Sequence, residues 1–447
     1  MMKTVRLVAP ANRGNGDAPY KKGLFPPLGL AAVAAVTPPD RWEVEAVDEA
    51  VEPHHFDRPA DLVGITGITS VAPRAYEVAR QYRRRGVPVV MGGMHASALP
   101  EEALRHVDAV VVGEAEGVWH EVLRDAEIGE MKGVYSSSER PCLSQLPFPR
   151  LGIFDPDRYL TVNLVQTSRG CPNACSFCAV SRFFGRSYRV RPIKQVLKEI
   201  EALGEKMVLF VDDNIAGHRS RAKELFRQMA QLEIQWFGQA SLAIARDEEM
   251  LDLAADSGCV GLFIGFESLS DANLKQVGKA AVNRVEDFLE SIKKIHQRGI
   301  GIEGAFIFGL DDDDDTVFRR TLQFARRAGL ALAQFGILTP FPGTPLYESL
   351  DTAGRIVDTD WSRYTISNAV SMPLKMSRQA LEDGFNWAYR EFYSYRSVMS
   401  RVVASWNRNP LLYLKLNMAF RAVASRMVQA KTSYEQDASA DFSPPRA

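Results

Sequence analysis

The chain is poor in cysteine, carries almost no net charge, and lacks an apolar run long enough to cross a bilayer. Five cysteines in 447 residues provide no disulfide framework, and a reducing cytoplasm is the expected setting. A net charge of −1 leaves no electrostatic footprint for nucleic acid. The apolar stretch Leu28–Val36 is shorter than a membrane span, and prolines bracket it. The segment Met1–Pro10 reads as a strand and not as a secretory signal. What remains is an ordinary globular composition, 46% hydrophobic and 24% charged. The length suits roughly two or three domains with a large core.

Three of the five cysteines fall within eight residues, in the run Cys171-Pro172-Asn173-Ala174-Cys175-Ser176-Phe177-Cys178. They follow a strand-like run, Tyr159–Val165, and a short polar link ending Arg169-Gly170. A structural zinc site is one reading, but such sites normally close with four ligands in paired spacing. No fourth Cys or His lies close by: His218 stands 40 residues past Cys178, and Cys142 and Cys259 are isolated. Three thiolates with one position left open suit a metal cluster that accepts a further ligand.

The spacing Cys-x3-Cys-x2-Cys, with Phe177 before the last cysteine, resembles the signature of the radical S-adenosylmethionine (SAM) enzymes. The resemblance implies that Cys171, Cys175 and Cys178 hold a [4Fe–4S] cluster, whose open iron chelates SAM through its amino and carboxylate groups.

Residues 1–140 alternate short apolar strands (Thr4–Val8, Trp42–Val47, Leu62–Thr66, Val87–Met91, Ala109–Val112) with helical patterns, so a Rossmann-like α/β unit with a parallel sheet is expected. Ligands of such sheets bind at the carboxyl ends of the strands. Polar and glycine-rich loops stand there: Thr66 to Ser70, then Gly92-Gly93-Met94-His95, then Gly113-Glu114. These loops resemble the cobalamin-binding domain fused to many radical SAM proteins. That resemblance implies cobalamin near Thr66, Ser70, Gly92, Gly93, His95, Gly113 and Glu114. The Asp-x-His-x-x-Gly motif that supplies an axial histidine in many cobalamin domains is missing, and His54 and His55 precede the third strand. Base-off cobalamin without a histidine ligand is therefore implied. A Rossmann-like sheet that has lost its ligand is the alternative.

Residues 141–158 read as a linker, with Pro141, Pro147, Pro149 and Gly152. Residues 159–350 repeat strand–helix units, with strands near Thr161–Gln166, Met207–Val211, Gln235–Ala240, Val260–Phe266, Gly301–Phe308 and Ala333–Leu338. This is the pattern of the partial (β/α)6 barrel of radical SAM enzymes. A helix is expected from Pro192, with that proline at its first position. The resemblance implies SAM contacts at strand ends: Asp212 and Asp213 after the second strand, Gln239 on the third, Glu267 and Ser268 after the fourth, and Gly304 on the fifth. Asp311–Asp315 are expected to form a solvated cap for the following helix.

Residues 351–432 are expected to form a mainly helical extension, and 433–447 a disordered tail. Acidic residues are missing between Glu391 and Glu435, where Arg396, Arg401, Arg408, Lys415, Arg421, Arg426 and Lys431 are interleaved with apolar side chains. Such a surface either packs its apolar face on the barrel or makes peripheral contact with an anionic membrane.

The chain as a whole resembles the cobalamin-dependent radical SAM methyltransferases. The function this implies is C-methylation of an unactivated carbon, through a 5′-deoxyadenosyl radical and methylcobalamin. Cofactors would be a [4Fe–4S] cluster, SAM and cobalamin. Partners would be a small-molecule or lipid-like substrate and a one-electron reductant such as flavodoxin or ferredoxin. An anaerobic oxidative cyclase of the same architecture and a non-catalytic cobalamin or SAM sensor are the alternatives.

Overall fold

The computed structural model describes residues 2–12, 22–404 and 410–422. Two six-stranded parallel sheets carry the architecture. The first contains β1 (Lys3–Ala9), β2 (Trp42–Asp48), β3 (Leu62–Thr66), β4 (Val89–Gly92), β5 (Ala109–Val112) and β6 (Val134–Ser136), in the order β2-β1-β3-β4-β5-β6. Its strands are apolar on both faces because helices cover both: Val5, Leu7, Val90 and Val111 are buried on one face and Val8, Val63, Val89 and Val110 on the other. Strand β6 has no counterpart in the sequence reading: three residues with one buried side chain, Tyr135, leave too little periodicity.

The second sheet contains β7 (Leu164–Val165), β10 (Met207–Phe210), β11 (Gln235–Ala240), β12 (Cys259–Glu267), β13 (Gly301–Phe308) and β14 (Leu332–Ile337). Their order, β14-β13-β12-β11-β10-β7, is that of a parallel partial barrel wound strand by strand. Between β7 and β10 lies a short antiparallel ribbon of β8 (Ser168–Arg169) and β9 (Arg189–Val190). The cysteine run loops out between these two strands, so the ribbon pins its base.

Side chains alternate along the barrel strands. On β13, Phe306 stacks on Phe266 and Phe335 and meets Phe324, which puts it on the outer, helix-covered face. Gly304 shares that face: a Cβ there would lie 2.7 Å from Leu330 and 3.3 Å from Phe266. Gly301, Glu303, Ala305 and Ile307 consequently face the lumen.

Strand β14 is an edge, and its free backbone groups are capped by side chains. Tyr389 Oη donates to Phe335 O (3.0 Å) and accepts from Phe335 N (3.2 Å). Tyr393 Oη donates to Ala333 O (2.7 Å) and accepts from Ala333 N (3.1 Å). Both tyrosines lie on or just after the helix Arg378–Phe392, which packs along β14. An unpaired edge is thus closed without a further strand.

Three expectations need correction. Pro192 is the N-cap of the helix Ile193–Leu203, with non-helical φ/ψ, and not its first helical residue. Asp313 is not a solvated cap: it is buried and accepts from Gly309 N, Leu310 N and Asn273 Nδ2, closing the loop after β13. Arg401 is not on a solvated basic face. It donates to Ala331 O and Phe392 O, and its guanidinium lies 3.7 Å from the Phe392 ring centroid. The helices Tyr395–Ala404 and 410–422 pack against the barrel at the amino ends of its strands, where Tyr413 Oη donates to Val260 O at 2.7 Å. Arg408, Arg426, Lys431 and the tail 433–447 lie outside the described residues. Among the described residues no helix is long and apolar enough to cross a membrane.

Candidate active site

The cysteine loop is held from three sides by backbone contacts. Ser176 N donates to Val277 O at 3.0 Å, and Leu346 N donates to Ser176 O at 3.0 Å. Gly278, at φ +69, packs against Ala174, whose carbonyl oxygen would lie 2.9 Å from any Cβ there. Cys175 is buried, and Cys171 and Cys178 are half-buried. Burial pushes the Cys178 thiol up to about 11 and raises Cys175 as well, the latter opposed by the Lys279 cation. Among the described residues no group of three His, Cys, Asp or Glu side chains is placed to hold a single ion. The loop instead offers three thiols spread along one turn, a donor set suited to a multi-iron cluster. Cys142 is exposed elsewhere, and Cys259 is buried at the amino end of β12.

Asp212 and Asp213, expected at the SAM amine, both serve the lead-in to this loop. Asp212 is fully buried and accepts from Thr167 N (2.9 Å), Thr167 Oγ1 (2.8 Å) and Ser168 Oγ. With both oxygens so occupied it braces β8 and is not presented to a ligand. Asp213 accepts from Gly170 N at 3.1 Å, and burial pushes its carboxyl up to about 6.

Glu267 ends β12 in the left-handed region, φ +65, where a β-bulge shifts the register against β13. A non-glycine residue there costs on the order of 1 kcal/mol, so the surroundings must impose it. They do: Lys279 Nζ donates to Glu267 Oε1 at 2.8 Å, with both side chains nearly buried. Gly265 leaves the room, since a Cβ there would collide with the Glu267 carboxylate. Ser268 accepts from Asn273 Nδ2 (3.2 Å) and orders the next turn. Gln239 is exposed, on the lumen face of β11. Gly304 faces Leu330 and Phe266, so its glycine is a packing requirement of the outer core.

The carboxyl ends of the first sheet meet this assembly across a cavity of about 280 Å³. Thr66, Gly92, Gly93, Gly113 and Glu114 line it, with Leu30 and Trp119 as apolar walls and Arg169 and Phe184 on the barrel side. Gly93 has φ +92, and a Cβ would sit 2.9 Å from the Gly67 backbone. Small residues and apolar walls make a slot that accepts a large ligand side group. Ser70 and His95 do not line it. His95 is buried, its Nε2 3.0 Å from Tyr76 Oη and 3.3 Å from Glu102 Oε1. Trp361 Nε1 donates to Glu102 at 3.0 Å from the segment that follows the barrel, and the turn holding Trp361 packs on Thr69–Val71.

Residues the sequence did not disclose tie the halves together. Arg169 donates to Glu114 Oε2 and Glu116 Oε1, both at 2.6 Å, and Arg189 also pairs with Glu114. Glu114 is therefore a wall of the cavity and an ion-pair partner at once. Arg169 stood in plain view before Gly170, but its partners are 53 and 55 residues away in the chain. Lys279, 12 residues past Glu267, had no local signal.

Comparison with known proteins agrees with this arrangement. Residues 165–325 match the radical SAM superfamily, and residues 21–123 match the B12 binding domain. The bacteriochlorophyllide d C-12(1)-methyltransferase of Chlorobaculum tepidum is 33% identical over 389 residues, covering 84% of each chain. The C-8(2)-methyltransferase of the same organism is 28% identical over 93% of this chain and 95% of its own. Among solved structures, the radical SAM methyltransferase TsrM from Kitasatospora setae superposes with a TM-score of 0.63 at 18% identity, covering 98% of this chain and 100% of its own.

Proposed function

The chain belongs to the cobalamin-dependent radical SAM methyltransferases, and from that premise we propose that it methylates an unactivated carbon of a largely apolar small molecule held in the barrel lumen. A [4Fe–4S] cluster, SAM and cobalamin are its cofactors. When bound they supply a radical that removes hydrogen from carbon and a methyl group to replace it. A small-molecule substrate and a one-electron reductant go with that chemistry; flavodoxin or ferredoxin is the reductant we propose.

The observation that carries the proposal is the convergence of the cysteine loop and the glycine-lined cavity on one interface, joined by Arg169. In this reading Cys171, Cys175 and Cys178 hold the cluster, and the cavity beside Gly92 and Gly93 takes part of cobalamin. Lys279 and Glu267, next to the cysteine loop, offer a cation and an anion to the two charged groups of SAM's methionyl end. Asp212, Asp213 and Arg169 act at one remove, by fixing the strand that delivers the loop. The first sheet roofs the lumen and excludes water from the reacting carbon.

The apolar substrate is supported by the lumen side chains Phe263, Ile307 and Leu332 and by exposed Ile366, which lies against Gly336 of β14. It is also the character of the bacteriochlorophyllides for which two relatives are named. For peripheral membrane contact, support among the described residues narrows to Arg396 and Lys415 beside exposed Leu411 and Met418. No binding to anionic vesicles even at low salt, or binding that Lys415→Glu leaves unchanged, would remove it.

The test is anaerobic turnover with SAM deuterated in its methyl group, using bacteriochlorophyllide d and a small-molecule extract of a strain lacking the gene. The expected result is a product heavier by one deuterated methyl group. Substrate consumption with 5′-deoxyadenosine but no label in the product would overturn methyl transfer in favour of cyclisation or another radical outcome.

A further inference from the structure

Glu303 is a buried carboxyl for which the described protein shows no hydrogen bond or ion pair. It lies on β13, on the lumen face, level with Phe263 of β12 and Leu332 of β14. Gln239 of β11 continues the same row, paired with Phe263. One step lower, the row of Phe237, Gly261 and Gly301 is closed from beneath by Tyr413: a Cβ on either glycine would collide with its hydroxyl. That hydroxyl is spent on Val260 O. One step higher, Ala305 and Gln334 are only half-buried, and in the row of Glu303 itself Gln239 is exposed, so the lumen is open upward towards the cysteine loop. Glu303 is thus the first side chain above a sealed floor, and only 8% of it is exposed.

A carboxyl in that position is costly unless something satisfies it. The ionisable groups nearest it are phenols. Tyr389 and Tyr393 spend their hydroxyls on β14, and burial keeps all three phenols, with Tyr413, protonated. No cation faces it from these elements. Burial accordingly pushes the carboxyl up to about 7, so a substantial share of it carries a proton to donate at neutral pH.

We propose that Glu303 is a specificity-determining residue that donates a hydrogen bond, from the floor of the lumen, to an uncharged oxygen of the substrate. The substrate would be an apolar molecule whose far end carries a hydroxyl or carbonyl group. Phe263 and Leu332 flank that end, and Gln239 supplies a second polar contact in the same row. The inference rests on the reading that substrate occupies the lumen of this barrel.

The experiment uses full-length, anaerobically reconstituted enzyme and the extract component that gains a deuterated methyl group in the assay above. Iron content and 5′-deoxyadenosine formation without substrate certify that Glu303→Leu and Glu303→Gln are intact. Glu303→Leu should raise KM by about tenfold while kcat stays within about threefold, as for loss of one buried hydrogen bond. Glu303→Gln, which can still donate, should stay within about threefold of wild type. Wild-type KM should rise as pH passes through about 7, where the acid loses its proton, and Glu303→Gln should show no such rise. An unchanged KM in Glu303→Leu, or a flat wild-type profile, overturns the proposal. A Glu303→Gln enzyme as poor as Glu303→Leu also overturns it, since a charged carboxylate would then be facing a cationic substrate. If wild type labels nothing in the extract, it is the methyltransferase reading that fails.

Discussion

Arg169, two residues ahead of Cys171, donates to Glu114 at 2.6 Å and so binds the cysteine loop to the cavity wall of the first sheet. Both side chains are nearly buried, with 11% and 3% exposed. Removing one partner of a buried pair strands the other charge. Arg169→Met should therefore destabilise the protein by about 3 kcal/mol in urea melts, and the Arg169→Met/Glu114→Gln double variant by less than the sum, with a coupling of about 2 kcal/mol. Additive effects would show that the halves are held by other contacts.

The cysteines separate into two sets. Cys171→Ala, Cys175→Ala and Cys178→Ala should each lose the cluster and with it 5′-deoxyadenosine formation. Cys142→Ala and Cys259→Ala should keep both, since one thiol is exposed beside Ser144 and the other faces Gly261 O within β12. Iron and sulfide analysis together with electron paramagnetic resonance of the reduced protein reads this directly. Cluster loss in Cys142→Ala would mean the ligand set is misassigned.

Gly92 and Gly93 are adjacent but should fail differently. A Cβ at Gly92 meets nothing closer than 3.7 Å, so Gly92→Leu should fold and project its side chain into the cavity. Gly93→Ala forces an L residue to φ +92 and against the Gly67 backbone. The expected outcome is cobalamin binding lost in both, measured by absorbance after gel filtration, with melting temperature lowered only in Gly93→Ala. Binding is expected without a histidine on cobalt, because His95 is enclosed by Tyr76, Glu102 and Trp361. Nitrogen splitting in the cob(II)alamin spectrum would contradict that.

Glu49 anchors a buried network. Its carboxylate accepts from Arg74 Nη2 at 2.7 Å and lies 3.0 Å from His54 Nδ1, while His54 Nε2 is 2.7 Å from Tyr82 Oη. Burial opposes ionisation there, but the hydrogen bonds from His54 and Arg74 win and hold the carboxyl at about 2. A carboxyl with a depressed pKa contributes stability that is full above its unfolded value and fades as pH falls through its folded one. The stability gap between wild type and Glu49→Gln should thus be largest above about pH 4.5 and shrink towards pH 2. A constant gap across that window would exclude the ionised pair as its source.

The sequence disclosed what short-range chemistry encodes. The cysteine spacing and the strands Leu62–Thr66, Ala109–Val112, Gln235–Ala240 and Gly301–Phe308 all stand where apolar runs place them. It misjudged residues whose role depends on distant partners. Asp212 sits at a strand end, the usual place for a ligand contact, yet Thr167 and Ser168, over forty residues earlier, claim its oxygens. His95 belongs to a polar loop that looks ligand-facing, but Trp361, from the segment that follows the barrel, closes over it. Arg401 reads as one basic residue among seven, and only the fold reveals carbonyls waiting for it. Glu303 appears as an ordinary polar residue in an alternating strand until the register shows that no partner stands opposite.

The tyrosine pair on β14 makes the end of this chain a guardian of solubility. A six-stranded open barrel has two edges, β7 and β14, and the ladder of donors and acceptors along β14 is the geometry on which foreign strands nucleate. Tyr389 and Tyr393 quench that ladder with two hydroxyls, each serving as donor and acceptor together. A shortened form ending before Arg378 would keep the cysteine loop and both sheets on paper, yet leave a sticky template in solution. Fragments meant to isolate the catalytic barrel should therefore carry the helix Arg378–Phe392 and Tyr393 with them, or they will be lost to self-association before any chemistry can be tried.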